Sequence, residues 1–149
     1  MRTAIALAIL LATQTARADV LYVEAFGKAG AYGVGYEYAF TTTLSLGATA
    51  SFVPLRGQQI ATAVPYLHAT LFKRRANALY GEIGAALVYS RIPSPVMNWN
   101  GASETGGGGV AGLGWEQTRK HLVLRAGLNL VVGEGGVAPW GGFAIGIRP

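Results

Sequence analysis

The sequence contains no cysteine, few charged residues and, after its first segment, no long hydrophobic run. Without cysteine the chain can form no disulfide and offers no thiolate to a metal ion. Charged residues make up 13% of the chain, against roughly 25% in typical soluble domains. Beyond residue 18, no apolar stretch reaches the roughly 20 residues that a membrane-spanning helix needs. The composition therefore fits neither an ordinary soluble domain nor a helical membrane protein.

The chain also lacks the strong basic patch that is typical of nucleic-acid-binding proteins. Its densest basic segments are short, at residues 73–75 and 119–120. Removing Arg2 and Arg17 with an N-terminal leader would leave ten of the 12 basic residues against 7 acidic ones. We therefore expect no nucleic-acid partner. No motif indicates a cofactor or a metal site, since spacings such as H-E-x-x-H are missing.

The first residues predict a cleavable signal peptide. Arg2 supplies a positive start, residues 4–12 form a short apolar run, and Ala16-Arg17-Ala18 has the small-x-small pattern of a cleavage site. We expect a signal peptide over residues 1–18 and a single mature domain over residues 19–149. The alternative is an uncleaved N-terminal anchor.

Between Ala31 and Phe52, large apolar residues alternate with small ones. The larger side chains share one parity: Tyr32, Val34, Tyr36, Tyr38 and Phe40, then Leu44, Leu46, Ala48, Ala50 and Phe52. A period of two indicates β-strands with two different faces. The second face carries Gly, Ser and Thr rather than the Lys and Glu of a solvated surface. Such a face fits a crowded interior, and the apolar face then points outward, as in a transmembrane β-barrel.

The same pattern predicts eight strands along the mature chain. They span residues 20–28, 32–40, 43–53, 59–72, 78–89, 108–117, 121–132 and 140–148. The predicted fold class is all-β: an eight-stranded antiparallel up-and-down transmembrane β-barrel that follows the signal peptide. The fourth strand alternates poorly, and Pro65 removes one hydrogen-bond donor from it, which suggests a bulge there.

The predicted connections differ in length at the two ends of the barrel. With the N-terminus in the periplasm, the turns fall at 41–42, 73–77 and 118–120, and the outer loops fall near Gly30 and at 54–58, 90–107 and 133–139. Short periplasmic turns and longer outer loops are the usual asymmetry. We expect the run of glycines at 106–109 to connect the long loop to the sixth strand. Aromatic residues near the strand ends predict two interfacial belts.

Parity and height along the strands place a cluster of ionisable residues in the lumen. The predicted members are Glu24, Glu37, Glu82, Glu116, Arg125 and Arg148. An unpaired buried charge costs several kcal/mol, so we expect Arg125 to be shared between carboxylates. The excess of acid implies trapped water, protonated carboxylates or a bound cation. The cluster is either a structural plug, which we favour, or a gate or ion relay.

The two histidines offer only a weak indication of catalysis. His68-Ala69-Thr70 is distantly similar to the His-x-Ser pair of eight-stranded lipid A deacylases, with Thr in place of Ser. No acid partner can be named for such a site, and a nucleophile needs an oriented base. We expect His68 to face lipid headgroups at the barrel rim and His121 to be solvated in a turn. No catalytic residue is predicted.

The longest outer loop carries apolar side chains among prolines and asparagines. The candidate contact residues are Ile92, Val96, Met97 and Trp99. Exposed apolar residues on a loop can anchor a partner. The alternative is that they fold back over the barrel mouth or dip into the outer leaflet.

Three segments carry a family resemblance: residues 21–24 (LYVE), 124–127 (LRAG) and 139–146 (PWGGFAIG). With the signal, they resemble small outer-membrane β-barrel proteins of the OmpA/OmpX-like class. The resemblance implies a membrane barrel and no particular ligand or reaction. We expect a monomer in contact with outer-membrane lipids that include lipopolysaccharide, inserted by the barrel-assembly machinery. Such proteins usually end in an aromatic residue, whereas this chain ends Ile147-Arg148-Pro149.

We therefore expect a small bacterial outer-membrane barrel with a plugged lumen, a structural or surface-interaction role, and no enzymatic activity. The alternatives are an enzyme that modifies lipid A or phospholipid, a narrow pore, and a soluble lipocalin-like carrier. The carrier would turn its large apolar residues inward and its Lys and Glu outward, which is the reverse of the pattern in this sequence.

Overall fold

The computed structural model describes residues 19–55, 57–92, 102–133 and 136–149. The predicted signal peptide and the loop residues Val96, Met97 and Trp99 lie outside these ranges. Eight strands are present: β1 (Val20–Gly27), β2 (Gly30–Ala39), β3 (Leu44–Leu55), β4 (Gln58–Arg74), β5 (Asn77–Ile92), β6 (Ala102–Arg119), β7 (Leu122–Gly133) and β8 (Gly136–Ile147). Over the described ranges, no helix is long and apolar enough to cross a membrane.

The strands form one closed antiparallel barrel in sequence order. Closure is made by β1 and β8, which pair from Leu21 opposite Ile147 to Ala25 opposite Phe143. Closing the sheet removes the unpaired edges that lipid would not tolerate. The predicted fold class is confirmed.

The direction of the side chains confirms that the barrel is inside out. Tyr36, Leu46 and Leu128 on the outer face are 50%, 56% and 70% exposed, whereas Glu37 and Arg125 are 3% and 4% exposed. An apolar outer surface around a polar interior is the arrangement of a membrane barrel. It is the opposite of what a soluble carrier requires.

We call the end that holds Asp19, Pro149 and the β2–β3, β4–β5 and β6–β7 turns the periplasmic end, following the usual asymmetry. The strands are unequal in length and extend furthest at the other, outer end. β4, β5 and β6 have 17, 16 and 18 residues, while β1 has 8. A strand needs about 9–11 residues to cross a membrane. The outer parts of β4, β5 and β6 therefore project beyond the bilayer as a small sheet.

The predicted starts of the sixth and eighth strands were too late. β6 begins at Ala102 rather than 108, and β8 at Gly136 rather than 140. The glycines at 106–109, expected to be a connector, lie within β6 opposite residues 85–88 of β5. The hydrogen bonds between neighbouring strands join backbone groups only. A run of glycines can therefore pair with β5 without contributing side chains.

The predicted irregularity at Pro65 is also in the wrong place. Pro65 pairs regularly with Ala48 of β3. The register between β4 and β5 shifts instead between Thr70 and Phe72. This is a β-bulge, in which Leu71 is the extra residue on β4.

Candidate functional site in the barrel lumen

Arg125 of β7 lies at the centre of the lumen and is held by two carboxylates. Its Nη1 and Nη2 donate to Glu37 Oε2 and Oε1 at 2.7 and 3.1 Å, and its Nε donates to Glu116 Oε2 at 2.9 Å. Arg148 lies 3.9 Å from the same Glu116, towards the periplasmic end. Two carboxylates on one guanidinium use its planar donor fork almost fully, which makes a well-satisfied buried ion pair.

A second ion cluster lies towards the outer end, around Lys28. Lys28 is in the β1–β2 turn, yet it is buried, and its Nζ lies 3.0 Å from Glu82 and 3.5 Å from Glu24. The turn folds inward because the chain takes left-handed backbone angles at Phe26 (φ 52°) and Gly30 (φ 113°) on either side of it. The turn thus places the ammonium group of Lys28 inside the barrel.

The neighbouring Ala29 fixes this inward turn in place. Its backbone N donates to Glu24 Oε1 at 2.9 Å, and its carbonyl accepts from Ser51 Oγ at 2.8 Å. Its side chain packs in a small apolar layer with Val64, Ala86 and Val110. The turn is therefore part of the packed interior at the outer end of the lumen.

His68 joins the two ion clusters, so its prediction as a rim residue is wrong. It is 3% exposed, and its Nδ1 lies 3.0 Å from Glu82 Oε1 and 3.9 Å from Glu37 Oε2. An ionised carboxylate only accepts hydrogen bonds, so Nδ1 carries the hydrogen shared with Glu82. The ring stacks on Tyr80 at 4.9 Å between centroids. His68 faces inward because the even-numbered residues of β4 from Val64 to Thr70 line the lumen.

Tyrosine hydroxyls connect the carboxylates to neutral residues of the lumen. Tyr22 and Tyr66 share a hydrogen bond of 2.7 Å, and Tyr22 also bonds Thr49. Tyr66 donates to Glu37 Oε2 at 3.2 Å. Lys28 Nζ sits 4.1 Å above the Tyr66 ring, within the range of a cation–π contact. The rings fill the space between the charges and satisfy them at the same time.

Each of these large rings lies over glycine on a neighbouring strand. Tyr22 pairs with Gly35 and Gly146, and Tyr66 pairs with Gly47. A Cβ at Gly35 or Gly47 would overlap the tyrosine ring. The inward glycines therefore provide the room that the aromatic plug occupies.

The structure distributes the six predicted lumen residues over one connected chain of charges. Glu37, Glu116, Arg125 and Arg148 form its lower part, while Glu24 and Glu82 belong to the upper part. The expected excess of acid is offset by a residue that sequence reasoning missed, Lys28. Three cations, Lys28, Arg125 and Arg148, face the four carboxylates.

The sequence carried a partial signal for the missed lumen residues. Tyr22 has the parity of Glu24, and Tyr66 has the parity of His68. If Glu24 and His68 point into the lumen, Tyr22 and Tyr66 must point into it as well. Lys28 also has the parity of Glu24 within the predicted strand 20–28, but the large apolar Phe26 lies between them on that parity and obscures the pattern.

Glu37, His68 and Glu82 are also close enough to be considered as metal ligands. Their ligand atoms lie within 4.8 Å of one another, and all three residues are buried. Both carboxylates already contact cations, Arg125 and Lys28 respectively. A divalent ion would have to compete with these partners, so the arrangement is better described as an ion-pair network.

A cavity of about 20 Å³ lies in the lumen beside Lys28, Glu82 and Asn129. That volume holds about one water molecule. At the periplasmic side, Val20 and Val123 are nearly fully buried below the charges.

The remaining candidate residues lie outside the lumen. Ile92 ends β5 and is 41% exposed. His121 is exposed in the β6–β7 turn, as predicted, and its Nδ1 lies 2.9 Å from the Arg148 carbonyl oxygen.

Solved structures share this fold at low sequence identity. The N-terminal β-barrel domain of Pseudomonas aeruginosa OprF is 18% identical with a TM-score of 0.58, and the match covers 91% of this chain and all of that one. Ail, the attachment invasion locus protein of Yersinia pestis, is 12% identical with a TM-score of 0.56, covering 87% of this chain and 93% of that one. No protein-family model and no curated protein matches the sequence. The chain has the fold of bacterial outer-membrane eight-stranded barrels, and its apolar exterior places it in that membrane.

Proposed function

We propose that the protein is a closed outer-membrane barrel that acts through its exposed surfaces and neither conducts solutes nor catalyses a reaction. The observation that carries this proposal is the network of paired charges across the lumen, from Arg148 to Lys28. The cavity beside Lys28, Glu82 and Asn129 is large enough for about one water, which supports the same conclusion. Eight-stranded barrels have interiors just wide enough to be filled by side chains.

The projecting sheet at the outer end supports a role in surface contacts. The outer parts of β5 and β6 pair from Leu87 opposite Gly107 to Ile92 opposite Ala102, beyond the level where β7 first pairs with β6 at Gly109. The pairing raises Ile92 and Ala102 beyond the outer ends of the neighbouring strands. Residues that bind partners are concentrated on such projections. Ail, which has the same fold, is named for attachment and invasion, and we extend that kind of role to this chain only as part of the proposal.

The position of His68 weakens the enzymatic alternative. A residue that acts on membrane lipid must reach the outer face, whereas His68 is buried between Glu82 and the Tyr80 ring.

The proposal also covers the partners of the protein. It is a monomer that the barrel-assembly machinery inserts, and lipopolysaccharide surrounds its outer half.

Single-channel recording in planar bilayers tests the closed lumen. We expect no stable open current from the refolded protein, and little change in Arg125→Ala, because the tyrosine rings still fill the lumen. A channel-forming peptide added afterwards shows that the same membrane reports current. A large, steady conductance from the wild-type barrel would refute the proposal.

A further inference from the structure

The outer face at the periplasmic end carries an open cleft between β4, β5 and β6. Its volume is about 470 Å³, within the range of ligand-binding pockets. The residues that line it include Phe72, Arg74, Arg75, Asn77, Leu79 and Trp115. None of them takes part in the lumen network described above.

The cleft has two rows of side chains at different heights. Phe72, Leu79 and Trp115 are paired across the three strands and form an exposed apolar row. One step closer to the periplasm, Arg74 pairs with Asn77. The step is two residues, about 6.6 Å at the rise of a strand.

The outward direction of Phe72 and Arg74 depends on the β-bulge at Leu71. In a regular strand, Phe72 would have the inward parity of Thr70, which pairs with the buried Tyr80. The shift in register turns Phe72 outward, where it is 64% exposed. It also places Arg74 on the same outer face. Bulges commonly re-aim side chains in this way.

The row closer to the periplasm is cationic, and a backbone hydrogen bond to β6 fixes the hairpin that carries it. Arg74 and Arg75 are exposed at the end of the β4–β5 hairpin. The hairpin is tied to β6, because Ala76 O accepts from Thr118 N at 2.8 Å. The nearest acid on β6, Glu116, points into the lumen and is bonded to Arg125.

We propose that this cleft binds an anionic phospholipid of the periplasmic leaflet, with its phosphate on Arg74 and Arg75 and an acyl chain against Phe72, Leu79 and Trp115. The apolar row lies at the depth of the hydrocarbon, and the cationic row lies at the depth of the headgroups. Aromatic and basic residues are the usual anchors at this boundary. The inference depends on the membrane placement and is independent of the closed lumen.

Fluorescence quenching by brominated lipids tests the site. The variant Trp99→Phe/Trp140→Phe leaves Trp115 as the only tryptophan. It is refolded into phosphatidylcholine vesicles with a minor fraction of either brominated phosphatidylglycerol or brominated phosphatidylcholine. We expect stronger quenching by the anionic lipid at equal mole fraction, with relative affinity falling about fivefold for each arginine removed.

Two matched double variants distinguish lipid binding at this cleft from general electrostatic attraction of anionic lipid to basic residues at the periplasmic end. Arg74→Gln/Arg75→Asn should abolish the preference, while Arg119→Gln/Lys120→Asn on the next turn should keep it. The pairs are equivalent, because Arg75 and Lys120 both have left-handed backbone angles, φ 55° and 51°, which asparagine tolerates. A heat-shift gel shows that each variant is folded.

Several results would overturn the proposal. Equal loss in both pairs would show only attraction to a basic rim, and no preference in the wild type would remove the site. Release of the lipid by inorganic phosphate alone would assign the cleft to free phosphate. Binding to isolated peptidoglycan through Arg74 and Arg75, without a lipid preference, would assign the surface to the cell wall.

Discussion

At the scale of single residues, the interior depends on a small number of charges that share partners. Arg125 bonds Glu37 and Glu116, and Glu37 also accepts from Tyr66. Removing one member of such a network leaves the others buried without compensation. The lost partner therefore costs more than the bond itself.

Arg125→Ala should lower the free energy of unfolding by about 3–5 kcal/mol. It removes the bidentate cation of Glu37 and leaves Glu116 with only Arg148, 3.9 Å away. Urea unfolding of the barrel in phospholipid vesicles, followed by tryptophan fluorescence, measures the change. The control is Arg91→Ala, which removes the same side chain from an exposed position of β5 and should change stability by less than about 0.5 kcal/mol. Equal losses in both variants would contradict the central role of Arg125.

The pairing of tyrosine with glycine is a second feature of this scale. The ring of Tyr22 occupies the space above Gly35, and the ring of Tyr66 occupies the space above Gly47. Aromatic side chains that cover glycine on the next strand protect its backbone and help to fix the register. These positions therefore contribute to both the plug and the sheet.

At the scale of elements, the sequence pattern predicted all eight strands but not where their irregularities lie. The ends that were wrong, in β6 and β8, lie in segments where glycine removes the alternation of side chains. The bulge at Leu71 gave no composition signal. The bulge lets Thr70 pair with Tyr80 while Phe72 pairs with Leu79, and that register is visible only in the assembled sheet.

Deletion of Leu71 tests this interpretation of the bulge. Without the extra residue, Thr70 and Phe72 become neighbours that still pair with Tyr80 and Leu79, so we expect the barrel to fold. Deletion of Leu67, in the regular part of β4, should prevent folding because a one-residue slip turns Tyr66 or His68 towards the lipid. The folded fraction is measured from gel mobility before and after boiling. Failure of both deletions would contradict the assignment of Leu71 as the extra residue.

At the scale of the whole molecule, closure of the sheet unites residues that are distant in sequence. Glu37 and Arg125 are 88 positions apart, and the ends of the barrel meet through β1 and β8. Stability therefore belongs to the closed cylinder more than to any hairpin. An isolated two-stranded hairpin is at best marginally stable in water.

The detergent-extracted protein should accordingly migrate faster on a gel when it is not boiled, because the closed barrel resists detergent until heated. It should also be recovered with the outer-membrane fraction. Boiled and unboiled samples compared side by side provide the measurement, with the urea-unfolded protein as the control. An unchanged band together with recovery in the soluble periplasm would refute the membrane assignment.

The sequence by itself determined the class of the molecule. Alternation separates two faces along strands such as β2 and β3, and a face of glycine, serine and paired charges cannot be the solvated one. This reasoning placed Glu37 and Arg125 inside and Leu46 outside, as the structure confirms. The local pattern suffices for these residues because, in a strand without a bulge, parity alone sets the direction of a side chain.

The tertiary structure alone decided which inward residues meet. The stagger of strands in a closed barrel sets the heights at which distant side chains face each other. It brings His68 between Glu37 and Glu82, and a local backbone turn carries Lys28 into the lumen. Neither the stagger nor the inward turn is encoded in the alternation of residues, so the composition of the plug became visible only when the cylinder was closed.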